Sequence, residues 1–324
     1  FTLHNLAYRG TFPAAIFTEL GLPPQAFTID GVEFYGQVSF AKAGLAYADR
    51  LTTVSPTYAR EIQTPAFGWG LDGLLRHRAV VLCGILNGVD PLVWDPQHDT
   101  NLMRNYGTED ATLGKHAAKA ALQQRLGLAL EPATPLFGVV SRLTPQKGLD
   151  LLLAVLPGLV AAGGQLALLG AGDADLEQGF AAAARASAGR VAVEFGYDEG
   201  LAHRIIAGAD SIIVPSRFEP CGLTQLYALR YGTLPLVHRV GGLADTVVDA
   251  TAISLADGSA TGFAFDDETP AALLAAIGRV LALMREPALW RRMIRQAMTR
   301  DFSWSAAARR YLALYRELCP DRAA

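Results

Sequence analysis

One stretch constrains this chain more than any other: residues 210–246, DSIIVPSRFEPCGLTQLYALRYGTLPLVHRVGGLADT. A β-branched run at 211–214 ends at Pro215, and a charged loop, Ser216-Arg217-Phe218-Glu219, follows. Pro220-Cys221-Gly222 then leads into a helical pattern over 223–231. A second short strand, 234–238, closes into a Gly241-Gly242 turn. Strand, acidic loop, helix, strand and glycine turn is the layout of an open α/β sheet, whose ligands gather outside the strand ends. Loops placed there carry function because rigid elements hold them.

The preceding region repeats the same alternation. From Pro135 onward, strands are predicted at 136–140, 165–169 and 191–195, and helices at 149–160, 176–186 and 199–207. Short β-rich runs alternating with ten-residue helical patterns predict an α/β, doubly wound parallel sheet. The first 85 residues are less regular. Tyr8-Arg9-Gly10-Thr11-Phe12 and Gly21-Leu22-Pro23-Pro24 are turn-rich. A helix is expected at 39–48, a strand at 50–54, and a helix at 57–63 with Ser55 as its cap and Pro56 as its first residue. A buried strand at 80–86 runs into the turn Asn87-Gly88-Val89-Asp90-Pro91, the expected domain boundary. An amphipathic helix is expected at 113–126. The tail pattern, 303–317, sets Trp304, Tyr311 and Tyr315 on one helical face, available for docking.

Composition removes several function classes. Hydrophobic residues make up 51% of the 324 and charged ones 18%, which excludes a disordered chain. The net charge of -3 offers no basic field to a nucleic acid. Cys83, Cys221 and Cys319 match no metal spacing and read as reduced thiols of a cytoplasmic protein. The apolar run 149–172 is broken by Pro157, Gly158 and Gly163-Gly164, so it predicts a helix and a buried strand and no membrane span. The chain opens on Phe1-Thr2-Leu3-His4-Asn5, which reads as the middle of a strand and its loop, so a truncated start is expected.

Several residues carry chemistry in that frame. Arg142 and Lys147 share one loop at a strand's carboxyl end, where two cations can hold a diphosphate and neutralise it as it departs; two solvated surface cations is the plainer reading. Gly222-Leu223-Thr224-Gln225 opens a helix whose free N–H groups favour an anion beside Glu219, although a helix cap without a ligand has the same pattern. Gly170-Ala171-Gly172 begins a dinucleotide fingerprint, but Asp175 stands at the third glycine position, so a tight strand-to-helix turn explains it better. Asp173-Ala174-Asp175 lies in that same turn with no further metal ligand in reach. His4 is a lone histidine in a polar turn. Tyr197, after a strand-end glycine, can stack on a ring or be partly buried.

Taken together, His4-Asn5-Leu6-Ala7-Tyr8, Lys42-Ala43-Gly44-Leu45, Thr53-Val54-Ser55-Pro56-Thr57-Tyr58-Ala59 and Gly84-Ile85-Leu86-Asn87-Gly88-Val89-Asp90 resemble the bacterial glycogen synthase and plant starch synthase family. Ser141-Arg142-Leu143-Thr144-Pro145-Gln146-Lys147-Gly148-Leu149-Asp150 and Phe218-Glu219-Pro220-Cys221-Gly222-Leu223-Thr224-Gln225 carry the same resemblance, which covers nearly the whole chain in order. It implies a GT-B fold of two Rossmann-like domains facing across a cleft, the first only partly present. It also implies retaining transfer of glucose from a nucleotide-glucose, usually ADP-glucose, to the non-reducing end of an α-1,4-glucan, with no metal and no cofactor. By resemblance, Arg142 and Lys147 are the cations on the donor diphosphate, and Glu219 is the active-site carboxylate near the donor glucose. Cys221, Gly222, Leu223 and Thr224 surround the sugar and distal phosphate. Tyr197 stacks on the base, His4 meets the transferred glucose, and Asn87 lies near that sugar. Residues 1–88 are the expected acceptor-side domain, 89–302 the nucleotide-sugar domain, and 303–324 a helix packing back on the first.

Two departures stand out. The family's Lys-x-Gly-Gly-Leu loop precedes the histidine motif and is absent here; Gly241-Gly242-Leu243-Ala244-Asp245 echoes it without the lysine. A chain without that loop is expected to be nearly inactive by itself. Arg9 stands where glutamine is common. Two other readings compete: a different GT-B transferase with a lipid or small-molecule acceptor, and a non-catalytic regulator that binds glucan or nucleotide.

Overall fold

The peptide between Asn87 and Gly88 separates two units in the computed structural model, which describes residues 1–319: Phe1–Asn87 with the segment from Ala307 onward, and Gly88–Ala306. The first unit contains β1 (Thr2–Leu3), β2 (Thr11–Pro13), β3 (Glu33–Phe34), β4 (Gln37–Ser39), α1 (Phe40–Tyr47), β5 (Leu51–Thr53), α2 (Pro56–Glu61), α3 (Asp72–His77) and β6 (Leu82–Gly84). Strands β1, β5 and β6 form a parallel sheet in that order. The starts of α1 and α2 have a sequence cause. Ser39 Oγ accepts from the Lys42 N–H at 3.2 Å, and Ser55 Oγ from the Tyr58 N–H at 2.8 Å, with Pro56 at the first helical position.

Two expectations need correction in this unit. The predicted strand at 80–86 begins only at Leu82. Ala79–Val81 form a 3-10 turn, and Val80 is 90% exposed, because only Leu82–Gly84 find partners in β5. The region read as turn-rich instead supplies an antiparallel sheet, β2-β4-β3. Its hairpin turns at Tyr35-Gly36, both with positive φ, where the sequence has none of the Asn-Gly or Asp-Gly signals such a turn normally shows.

The second unit contains α4 (Ala111–Leu126), β7 (Leu136–Val140), α5 (Leu149–Ala161), β8 (Gln165–Gly170), α6 (Ala174–Ala186), β9 (Val191–Phe195), α7 (Glu199–Gly208) and β10 (Ser211–Val214). It continues through α8 (Thr224–Arg230), β11 (Leu234–His238), α9 (Gly241–Thr246), α10 (Ala252–Asp257), β12 (Phe263–Phe265), α11 (Pro270–Met284) and α12 (Pro287–Met298). All six strands are parallel, in the order β12-β11-β10-β7-β8-β9. Side chains alternate between the two faces. Phe137, Leu166, Leu168 and Ile213 pack into one hydrophobic cluster, and Leu136, Ala167, Leu169 and Ile212 into another. The Gly241-Gly242 pair opens α9, where a loop turn was expected. Glycine is needed there because a Cβ on Gly242 would lie 2.1 Å from the Cys221 carbonyl oxygen.

The last helix, α13 (Trp304–Leu318), passes from the second unit into the first. Arg310 donates to the Gly84 carbonyl at 3.1 Å, and Arg50 pairs with Glu317. Trp304 and Tyr315 of the expected aromatic face are 49% and 59% exposed. Among the described residues, no helix is long and apolar enough to cross a membrane.

Candidate active site

Strand order decides which loops meet. From β7 the chain moves outward to β8 and β9, then returns to lay β10 against the other edge of β7. The loops that follow β7 and β10 therefore emerge side by side at the carboxyl ends of the strands, the switch point of the sheet. The approach is close. Gly148 has φ +63°, and a Cβ on it would lie 2.1 Å from the Pro215 carbonyl oxygen. The Arg217 N–H donates to the Gln146 carbonyl at 2.9 Å, and Gln146 Nε2 donates to the Phe218 carbonyl at 3.2 Å.

Arg217 fastens the two loops together, a role its sequence context did not reveal. Its Nη1 and Nη2 donate to Asp150 Oδ1 and Oδ2, each at 2.7 Å, and its Nε donates to Glu268 at 2.6 Å. Nη1 also reaches the Pro145 carbonyl at 2.6 Å. This planar fork uses the bidentate geometry that lysine lacks, and its hydrogen bonds hold the Asp150 carboxyl below the usual range. The only sequence signal was the presence of a cation beside the switch-point loop.

Lys147 and Glu219, one from each loop, meet here. Lys147 Nζ donates to Glu219 Oε2 at 2.5 Å, and Ser216 Oγ donates to the same oxygen at 2.9 Å. Glu219 is 6% exposed, and its carbonyl accepts from the Gly242 N–H at 3.0 Å. Lys147, Ser216, Glu219, Gly222, Leu223 and Thr224 line one cavity. Leu223 supplies no side-chain cap to α8, so the cap reading of this helix start does not hold. The Thr224 hydroxyl lies 3.4 Å from the Val140 carbonyl. Gly222 has φ +71°, and Cys221 is buried in the same turn.

Arg142 and Tyr197 line an adjoining cavity of about 400 Å³, which shares Val140 and Ser141 with the first. Tyr197 is 89% exposed, so the partly buried alternative for it is excluded. Arg142 is exposed; its carbonyl accepts from Ser141 Oγ at 3.1 Å, and its guanidinium has no hydrogen-bond or ion-pair partner among the described residues. The Gly170-Ala171-Gly172 turn also borders this cavity, and it serves close packing: a Cβ on Gly170 would lie 2.0 Å from the Ser141 carbonyl oxygen. Asp173 caps α6, accepting from the Asp175 and Leu176 N–H groups at 3.0 and 3.4 Å.

The two remaining sequence candidates belong to the first unit. His4 is exposed in the bend after β1, beside a loop pinned by Leu6 N–H to Tyr58 Oη at 3.0 Å. Asn87 is half-buried, three residues beyond β6. The fold thus gathers Arg142, Lys147, Tyr197, Glu219, Cys221, Gly222, Leu223 and Thr224 within the second unit.

Comparison with known proteins matches both units. Residues 1–77 match the family described as "Starch synthase catalytic domain", and residues 123–299 match "Glycosyl transferases group 1". "Glycogen synthase" of Serratia proteamaculans (strain 568) is 58% identical over 320 residues, covering 98% of this chain and 67% of its own length. "Glycogen synthase" of Albidiferax ferrireducens is 59% identical, covering 99% of this chain and 65% of its own length. This chain thus spans about two thirds of the length of these relatives. Among solved structures, the catalytic domain of starch synthase IV from Arabidopsis thaliana, bound to ADP and acarbose, superposes with a TM-score of 0.92 at 35% identity, over 98% of this chain and 66% of that one. Sucrose-phosphate synthase from Thermosynechococcus elongatus shares the fold alone, with a TM-score of 0.60 at 22% identity, over 98% of this chain and 67% of that one. The chain belongs to the glycogen synthase and starch synthase family of glycosyltransferases, with the GT-B fold.

Proposed function

We propose that this chain carries the donor site of a glycogen synthase, transferring glucose with retention from ADP-glucose to the non-reducing end of an α-1,4-glucan. The observation that carries the reading is the meeting of Lys147 and Glu219 at the switch point, at 2.5 Å, with Arg142 and Tyr197 lining the adjoining cavity. The ADP and acarbose bound by the Arabidopsis relative support both donor and acceptor classes.

In this mechanism the acceptor hydroxyl attacks the face from which the diphosphate departs, through an oxocarbenium-like state. Arg142, Lys147 and the uncapped start of α8 near Thr224 take up the charge developing on the leaving diphosphate. Two side-chain cations in place of a Lewis acid make the reaction metal-independent. Glu219, shared between Lys147 and Ser216, orients the donor glucose, and Cys221, Gly222 and Leu223 shape the turn beneath it. Tyr197 offers an exposed ring to the base. His4 and Asn87 serve the transferred glucose from residues 1–88, the acceptor-side domain; residues 89–302 hold the donor, and the helix in 303–324 packs on the first domain. Cys83, Cys221 and Cys319 as reduced thiols suit cytoplasmic work.

The test is incorporation of labelled glucose from ADP-glucose into glycogen, with UDP-glucose as comparator and with chelator present. It is run on the chain and on the full-length gene product. Transfer by the full-length protein that Lys147→Ala abolishes supports the reading. Turnover unchanged by Lys147→Ala and by Arg142→Ala overturns it.

A further inference from the structure

The second unit holds a cavity of about 260 Å³ that shares no lining residue with the two donor cavities. Stretches far apart in sequence build it. Val89 and Pro91 come from the segment that enters the unit, and residues 298–303 from the segment that leaves it after α12. The Val89 N–H stitches the two together, donating to the Phe302 carbonyl at 2.7 Å. Helix α8 supplies a further wall through Leu226 and Arg230.

The lining divides by chemistry. Val89, Leu226, Met298 and Phe302 give it an apolar side. Arg230 and Arg300 bring two guanidinium groups that the protein leaves partly unused. Arg230 Nη2 donates to Asp95 at 3.0 Å, but its Nε is shielded from solvent and finds no acceptor. The Arg300 guanidinium lies 5.9 Å from the Phe302 ring centroid and has no hydrogen-bond or ion-pair partner among the described residues. Asp301, the acidic residue of the lining, is engaged locally, its carboxylate accepting from the Ser303 N–H at 3.0 Å. A shielded N–H without an acceptor is costly, and a ligand oxygen removes that cost.

Size and charge define what fits. Sites for drug-sized ligands run from roughly 300 to 1,000 Å³, so this cavity suits something smaller than a nucleotide. Guanidinium groups pair with carboxylate and phosphate through parallel hydrogen bonds. A phosphoryl group carries about −1.5 to −2 charge at pH 7 and three strong acceptor oxygens, enough for both arginines at once. We propose that this cavity binds a small organic phosphate, a phosphomonoester whose oxygens take Arg230 and Arg300 and whose short carbon body lies on the apolar side. The site rests on its own lining and not on the function proposed above.

The test is calorimetric titration of glycerol 3-phosphate into the 324-residue chain, with and without excess ADP. Inorganic phosphate, glycerate and glycerol are the comparison ligands. Arg230→Gln and Arg300→Gln are titrated in parallel, and urea unfolding checks that each is folded. Arg300 is exposed, so its variant keeps the test decisive if Arg230→Gln loses the Asp95 contact and unfolds. The expected result is saturable binding of glycerol 3-phosphate that persists in ADP and weakens at least about tenfold in each folded variant. Inorganic phosphate and glycerate should bind at least about tenfold more weakly, and glycerol should not bind. Absence of binding in the wild type, binding that ADP abolishes, or full-strength binding in Arg300→Gln overturns the proposal. Inorganic phosphate or glycerate binding as tightly as the ester overturns the assigned ligand class.

Discussion

Lys147 and Glu219 lie 72 residues apart in the chain, yet their side chains form an ion pair of 2.5 Å in which the carboxylate also accepts from Ser216. With side chains 17% and 9% exposed, the pair is largely withdrawn from water, where an unpartnered charge is costly. Lys147→Ala strands the carboxylate and is expected to destabilise the fold by about 2 kcal/mol. The double variant Lys147→Met/Glu219→Gln should lose less, because no buried charge remains. Urea unfolding of both decides this, and a double variant weaker than the single one sinks it. Both should lose at least about 100-fold in glucosyl transfer in the full-length protein.

Arg142 is the contrasting case, an exposed cation with no protein partner among the described residues. Arg142→Ala should change unfolding stability by no more than about 0.5 kcal/mol. It should lower kcat/KM for ADP-glucose at least about 100-fold. Tyr197→Ala, at an 89% exposed position, should raise the donor KM by up to about tenfold with kcat little changed, since stacking binds ground and transition states alike. Steady-state kinetics beside thermal melts separate the two effects.

Lys115 on α4 is fully enclosed and donates to the Ala207 and Ala209 carbonyls at 2.9 and 3.0 Å and to Thr233 Oγ1 at 2.5 Å. Burial pulls its pKa down to about 7, against the opposing pull of Asp210. An unfolded lysine keeps its proton to about pH 10.4. Above about pH 7 the unfolded chain therefore binds more protons at this site than the folded one, and the Lys115 contribution to stability rises with pH. Lys115→Met should flatten the stability profile between pH 7 and 10 by up to about 1.4 kcal/mol per pH unit. Parallel profiles for wild type and variant would refute the assignment.

Asp99 anchors the connector that precedes α4. Its Oδ2 lies 2.7 Å from His203 Nδ1 and accepts from Tyr231 Oη at 2.7 Å, and its Oδ1 accepts from the Asn101 N–H at 2.8 Å. Nearby, the Trp94 ring stacks between His203 and Tyr227, 3.8 Å from each centroid. Burial raises the Asp99 pKa, but hydrogen bonds from His203, Asn101 and Tyr231 reverse that and bring it to about 2. A depressed carboxyl pKa stabilises the fold above the unfolded value near 3.9, and that contribution is lost as pH falls toward 2. Asp99→Ala should cost about 3 kcal/mol at pH 7 and progressively less below pH 4. Denaturant titrations at pH 7 and pH 3 measure both.

Periodicity made the second unit legible. The expected strands at 136–140, 191–195, 211–214 and 234–238 coincide with β7, β9, β10 and β11 to the residue. Strands buried on both faces are near-continuous apolar runs bounded by turn residues, a local signal. The antiparallel β2-β4-β3 sheet escaped because its strands are two or three residues long and its hairpin turns on Tyr35, a residue that no turn preference selects. Arg217 escaped for a different reason: nothing near it in sequence announces that Asp150 and Glu268 will reach it.

By itself the sequence determined the alternation of elements, the capped helix starts at Ser39 and Ser55, and which loops carry charge at strand ends. All of these depend on residues within a few positions of one another. Only the tertiary structure decided that Lys147 would pair with Glu219, that Arg217 would lock the two loops, and that Arg9 would lie between Phe34 and Trp69. Those contacts join segments tens of residues apart. Sheet order brings the first two about, because β10 returns to the free edge of β7. Close packing brings about the third, and neither leaves a local trace in the chain.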